Sequence, residues 1–140
     1  MLKGHRLTFG ACFAALLVLL GAGAASAAPV YQEDVPTCHG AAATIVHVGY
    51  DTTVVGTDAD DVIVVDGGWN NIHGGAGDDK ICVSGHFNAV YAEEGDDVAS
   101  AGGLYNNVYG GEGDDTLDAD DASSFMQGGA GDNTCNDNPC

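Results

Sequence analysis

Basic residues are nearly absent from this chain: three Lys and Arg stand against 21 Asp and Glu, for a formal net charge of −18. Nucleic acid and anionic membrane surfaces are therefore not expected as partners, because both demand the opposite sign. Proline is scarce, at 3, and tryptophan occurs once. Beyond residue 28 there is no long hydrophobic run and no apolar stripe at 3.6-residue spacing, and glycine recurs every few residues. Helix is thereby excluded for that part of the chain. A nucleophile elbow, an HExxH motif and a Ser, His and Asp set outside the repeats are all lacking, so no enzyme is expected. His39, His47, His73 and His86 show no metal-ligand spacing.

The one long hydrophobic run lies at the start. Lys3 and Arg6 precede an uncharged, mostly apolar stretch from Leu7 to Ala25, and Ala25-Ser26-Ala27 supplies small residues before Ala28-Pro29. This pattern predicts a secretory signal peptide over residues 1–27, cut after Ala27. A transmembrane anchor is the competing reading, but Gly10, Gly21 and Gly23 loosen the run and no basic stop-transfer flank follows. The mature chain is expected to be secreted, without membrane insertion. It keeps Lys80 as its single base against all 21 acids. Cys38, Cys82, Cys135 and Cys140 remain, and an even number in an exported chain favours disulfides.

What the mature chain does have is a repeat. The stretch HGGAGDDKI at 73 returns as AEEGDDVA at 92, GGEGDDTL at 110 and GGAGDNTC at 128, with a looser GTDADDVI at 56. The second aspartate falls at Asp61, Asp79, Asp97 and Asp115, and Asn133 holds the same place in the last copy, an interval of 18 throughout. Cut into nonapeptides from Cys38, the chain gives an apolar eighth place eleven times running, from Ile45 and Val54 to Met126 and Cys135. One inward residue per nine suits a three-residue strand followed by a six-residue turn, with two such units to each coil. The expected fold is all-β: a right-handed parallel β-roll, a β-solenoid of about five and a half coils over residues 38–136, stacked at about 4.8 Å. Residues 28–37 and 137–140 are left as short caps.

GGAGDDKIC and GGEGDDTLD match at every defined place the nonapeptide GGxGxDxUx, and the chain thereby resembles the RTX, or haemolysin-type, calcium-binding repeats. The resemblance implies a β-roll and calcium. Stacking turns 18 residues apart points the same way, because Asp61, Asp79, Asp97 and Asp115 then form a column at about 4.8 Å, where bare carboxylates repel by roughly 3 kcal/mol at an effective dielectric near 20. Such a column is expected not to stand without cations. Carboxylates and carbonyls are hard oxygen ligands that suit Ca²⁺. The expected ligand set is these four aspartates with Asn133, the preceding Asp60, Asp78, Asp96 and Asp114, and the carbonyl-bearing turns of Gly75, Gly77, Gly95, Gly111, Gly113, Gly129 and Gly131. An EF-hand is ruled out, since the acidic stretches lack its glycine at place six and glutamate at place twelve.

Typical RTX rolls carry the acidic turn on both edges. Here the alternate nonapeptides hold Thr52, Asn70, Asn88, Asn106 and Ser124 at the sixth place, so one edge alone is expected to bind calcium and the other to carry a neutral ladder. Five acidic turns enclose four gaps, hence about four ions. The turns at Thr57 and Asn133 are the weakest of the five. The neutral edge also bears aromatic columns, Trp69, Phe87 and Tyr105 at the fifth place and His73, Tyr91 and Tyr109 at the ninth. Two uses stay open for them: an exposed surface for a cell-surface glycan or protein, or rings that stack on one another and shield a thin core.

Cys135 and Cys140 bracket the turn-forming NDNP and are expected to pair, which leaves Cys38 for Cys82. In the stack those two would lie two coils apart, about 10 Å, beyond the ~7 Å reach of a bridge. Either residues 38–42 leave the roll or that bridge does not form. The functional expectation is a secreted calcium-binding roll that folds on meeting its ions, with an adhesion or carbohydrate-binding module as the alternative.

Overall fold

The computed structural model describes residues 35–136 and 138–140. The expected signal peptide, residues 1–27, and most of the linker expected at 28–37 lie outside them. The described chain opens with β1 (Thr37–Cys38) and β2 (Ala41–Ala42) and then alternates between two sheets. The first holds β3 (Ile45–Tyr50), β5 (Val62–Gly68), β7 (Lys80–Ser84), β9 (Val98–Gly102), β11 (Thr116–Ala119) and β13 (Thr134–Cys135). The second holds β4 (Thr53–Val55), β6 (Asn71–Ala76), β8 (Ala89–Glu94), β10 (Asn107–Glu112) and β12 (Phe125–Ala130). These strands pair in parallel within each sheet, and β14 (Asn138–Pro139) closes the end of the first sheet antiparallel to β13.

Register follows the repeat. Ile63 pairs with Ile81, Ile81 with Ala99 and Ala99 with Leu117 in one sheet, while Val54, Ile72, Val90, Val108 and Met126 pair successively in the other. Each step is one 18-residue coil, and the molecule is a β-solenoid of about five turns. The eighth-place residues meet in the interior, where Ile63, Ile72, Ile81, Val90, Val108 and Leu117 are buried.

The expectation of one inward residue per nonapeptide is corrected. Strands β5 to β10 run five to seven residues, and an extended chain returns to the same face every second residue. The first place of the next nonapeptide is therefore also inward. Val65, Val83, Ala101 and Ala119 fill it in one sheet, and Gly74, Ala92, Gly110 and Gly128 in the other. The sixth place is inward too, with Asp79, Asp97 and Asp115 on one edge and Asn70, Asn88 and Asn106 on the other, all buried.

Residues 38–42 leave the roll. They belong to a two-stranded antiparallel hairpin, Thr37 opposite Ala42 and Cys38 opposite Ala41, so the coils begin at Ile45 rather than at Cys38. Cys38 packs with Val64 and Cys82 in a second small cluster. It is bonded to Cys82 with the Cα atoms 5.7 Å apart, and Cys135 is bonded to Cys140 at 5.3 Å. Leaving the stack gives Cys38 the reach that two coils of axial separation deny it.

Truncating a fully buried rung tests this core. Ile81→Ala is expected to cost roughly 2–5 kcal/mol of unfolding free energy. Val48→Ala, on a side chain that is 74% exposed, should stay within about 0.5 kcal/mol. Denaturant melts in saturating calcium read both, and equal losses would contradict the layering.

Candidate metal centre

The acidic edge is built from two interlocked columns. At the sixth place each carboxylate reaches back one coil: the backbone N–H of Asp61 donates to Asp79 Oδ1 at 2.8 Å, Asp79 to Asp97 at 2.8 Å, Asp97 to Asp115 at 3.1 Å and Asp115 to Asn133 at 2.7 Å. At the fifth place the direction reverses, with Asp78 N–H donating to Asp60 Oδ1, Asp96 to Asp78, Asp114 to Asp96 and Asp132 to Asp114, at 2.8 to 3.0 Å. The sixth-place side chains are buried and the fifth-place ones exposed. Backbone amides thus satisfy one oxygen of each inner carboxylate.

The second oxygen is different. Oδ2 of Asp79, Asp97 and Asp115 is buried and has no hydrogen-bond partner. On the opposite edge the same backbone bond recurs, from Asn70 N–H to Asn88 Oδ1 at 3.0 Å and from Asn88 N–H to Asn106 Oδ1 at 2.9 Å. There the second atom is an NH₂, and Asn70, Asn88 and Asn106 donate it to the carbonyls of Gly49, Gly67 and Gly85. The expected amide-to-amide ladder is reduced to one bond, Asn88 Nδ2 to Asn106 Oδ1 at 3.2 Å. An amide completes its own hydrogen bonding in this fold. A carboxylate cannot, having no proton to offer.

Burial pushes the Asp79 and Asp97 carboxyls up to about 6; neighbouring carboxylates add to the rise, and the backbone N–H of the preceding coil opposes it. Asp115 is raised for the same leading reason. Asp61 goes the other way. Burial raises it, but Thr44 hydroxyl donates to its Oδ1 at 2.7 Å, and Thr57 N–H and hydroxyl both donate to Oδ2 at 2.8 Å, which together hold it below the ordinary value. Thr44 and Thr57 were not singled out in the sequence as partners of the site. The readable signal was Thr57 where other copies carry glycine. Asn133, at the far end, brings no charge.

The turns supply a close frame of carbonyls. All seven expected glycines have positive φ, from 102° at Gly77 to 136° at Gly111. At Gly95 (φ 132°) an added Cβ would sit 2.1 Å from the Gly77 carbonyl oxygen, and at Gly113 (φ 128°) 2.2 Å from that of Gly95. Glu93 occupies a glycine place with φ 85°, and its carboxylate pairs with His73 at 2.7 Å. Three successive buried, unpartnered carboxylate oxygens beside stacked carbonyls form an all-oxygen donor set that fits a hard divalent cation. Asp79, Asp97 and Asp115 are the residues that would hold it.

The aromatic columns are ladders, the fifth-place one on the neutral edge as expected, whereas the ninth-place one lies within the strands of the second sheet and begins at His73 beside Glu93. Trp69 stacks on Phe87 at 4.4 Å and Phe87 on Tyr105 at 5.1 Å, with interplanar angles of 13° and 14°. His73 stacks on Tyr91 at 5.0 Å and Tyr91 on Tyr109 at 5.1 Å. The inner ring faces cover one another, leaving edges toward solvent. Such stacking contributes roughly 1 kcal/mol per pair, against the cost of left-handed backbone at Trp69, Phe87 and Tyr105, φ 58° to 61°.

Fold and edge together define a calcium-binding β-solenoid. The RTX calcium-binding nonapeptide repeat matches residues 48–81, 91–126 and 109–136, in 4 copies. These segments span more than half of the chain, and the chain belongs to that family. Neither the curated proteins nor the solved structures gave a match.

The raised carboxyls set a pH dependence. In the metal-free fold Asp79 and Asp97 hold their protons to about pH 6, against 3.8 for the ordinary group. They therefore favour folding below about pH 4 and cost stability as pH rises through about 6. Calcium-stripped protein should gain β-type circular dichroism on acidification from pH 7 to about 4.5, and excess calcium should remove that trend. A pH-independent spectrum of the stripped protein would refute the assignment.

Proposed function

We propose that this chain is a secreted calcium-responsive roll, delivered by a signal peptide over residues 1–27 and folding around its ions outside the cell. Its role is binding or structural rather than catalytic. The observation that carries the reading is the row of buried Oδ2 atoms on Asp79, Asp97 and Asp115 with no partner among the described residues. At low cytosolic calcium, paired acidic turns repel and the chain stays open for export. Outside, cation binding supplies the missing partner and becomes folding free energy. The two disulfides are compatible with an oxidising destination, and among the described residues no helix is long and apolar enough to cross a membrane.

The expected load is about four ions. The gaps between Asp79, Asp97 and Asp115 fill first, because the outer turns end in Asp61, already satisfied by threonine, and in uncharged Asn133. The glycan-binding alternative keeps the exposed rings of Trp69, Phe87 and Tyr105, but a sugar stacks on an open ring face and most faces in the ladders are covered, which favours the packing role. Trp69→Ala and Tyr105→Ala are accordingly expected to lower the thermal midpoint by a few degrees in calcium.

Isothermal titration with circular dichroism alongside tests the reading. Stripped protein at pH 7 should move from a disordered to a β-rich spectrum at submillimolar to millimolar calcium. Stoichiometry should be near four, and a value near eight would sink the one-edge arrangement. Asp97→Ala should remove about two sites, whereas Asp66→Ala, exposed and outside the column, should remove none. A stripped protein fully folded at neutral pH and binding no calcium overturns the function.

A further inference from the structure

The Cys38–Cys82 bridge stands on the outer face of the first sheet, away from the acidic edge, and it has chemical company. A ring nitrogen of His39 and the two Sγ atoms lie within 4.8 Å of one another. His39 is fixed from the far side by Ser100, whose Oγ is 3.0 Å from Nε2. Lys80, the one Lys or Arg among the described residues, acts on the imidazole, as does Asp118. Cys38 is 1% exposed and Cys82 9%. The bridge closes a loop of sequence separation 44, and that loop carries the first two acidic turns, Asp60-Asp61 and Asp78-Asp79.

We propose that this disulfide is a thiol-exchange site whose opening weakens the calcium column; the proposal rests on the calcium reading above. The co-reactant is a low-molecular-weight thiol. His39 takes its proton, and the resulting thiolate attacks Cys82 Sγ, on the less completely buried of the two cysteines. The S–S bond breaks with its electron pair going to Cys38 Sγ, and His39 returns the proton to that leaving thiolate. A second thiol then attacks the mixed disulfide, so that the protein disulfide and two small thiols become two protein thiols and one small disulfide.

Opening the bridge frees the hairpin of residues 37–42 and restores to the unfolded chain the freedom the loop removed. Ion binding coupled to folding must then offset more entropy. Divided over about four ions, the loss corresponds to a calcium midpoint raised about fivefold. Linkage makes the effect reciprocal: calcium-loaded protein should resist reduction more than stripped protein.

A Cys135→Ser/Cys140→Ser variant isolates the bridge. Calcium-induced circular dichroism is recorded oxidised, after reduction by a dithiol, and after reoxidation. The midpoint should rise about fivefold and return. Reduction by glutathione, followed by thiol release, should be about tenfold slower in His39→Gln, with the calcium midpoint of the oxidised variant unchanged. Equal midpoints in the two redox states, or reduction of His39→Gln at the unaltered rate, overturns the proposal. If the isolating variant does not fold, the same titration compares the wild type with Cys38→Ser/Cys82→Ser, read against the same two outcomes. An oxidised wild-type protein that ignores calcium instead overturns the calcium reading itself.

Discussion

A carboxylate oxygen buried with nothing to bind is the constraint around which this molecule is arranged. At Asp79, Asp97 and Asp115 the fold presents one backbone N–H to each side chain and leaves Oδ2 unpartnered. The neutral edge shows what the same architecture does with a self-sufficient side chain, because there Asn70, Asn88 and Asn106 bond a backbone N–H with one atom and a carbonyl with the other. The two edges differ at the sixth place by the exchange of NH₂ for O⁻. That exchange converts a closed hydrogen-bond network into one with a buried oxygen left unpartnered, which costs free energy until something binds it.

The column is also graded along its length. Thr44 and Thr57 complete the hydrogen bonding of Asp61, and Asn133 ends the row without charge. Both ends of the acidic edge are therefore protein-satisfied, and the electrostatic stress is confined to the middle three turns. A stack of like charges gains from such ends, because its terminal members have a neighbour on one side only. The rest of the roll is adjusted to hold these turns at one coil's spacing. Parallel pairing fixes the 18-residue register, and glycines such as Gly95 and Gly113 admit the carbonyl of the coil before them.

So thin a solenoid buries few large side chains, and three devices compensate. The aromatic ladders add contact along the neutral edge. The Cys38–Cys82 bridge fastens the entry hairpin against β5 and β7 on the outer face of the first sheet, and the Cys135–Cys140 bridge closes the last strand pair. Ring stacking and covalent closure act whether or not ions are bound. The buried carboxylate oxygens without a partner among the described residues all lie on the acidic edge, on one side of the molecule.

The sequence by itself determined the period, the register and the chemical class of the site. An 18-residue interval between Asp61, Asp79, Asp97 and Asp115 sets the stacking, because a one-residue slip would turn the apolar eighth place toward solvent. Tertiary structure decided what the period leaves free. That the first place is also inward depends on strands running past three residues, a length set by pairing between coils. Whether Cys38 stays in the stack depends on a hairpin that pairs antiparallel, which no repeat announces. The rescue of Asp61 by Thr44 joins residues 17 apart, a contact that exists only once coils are laid on one another. The division of each carboxylate into a satisfied and an unsatisfied oxygen belongs to the same level, because residue identity specifies charge and only the packed backbone specifies which oxygen is left without a partner.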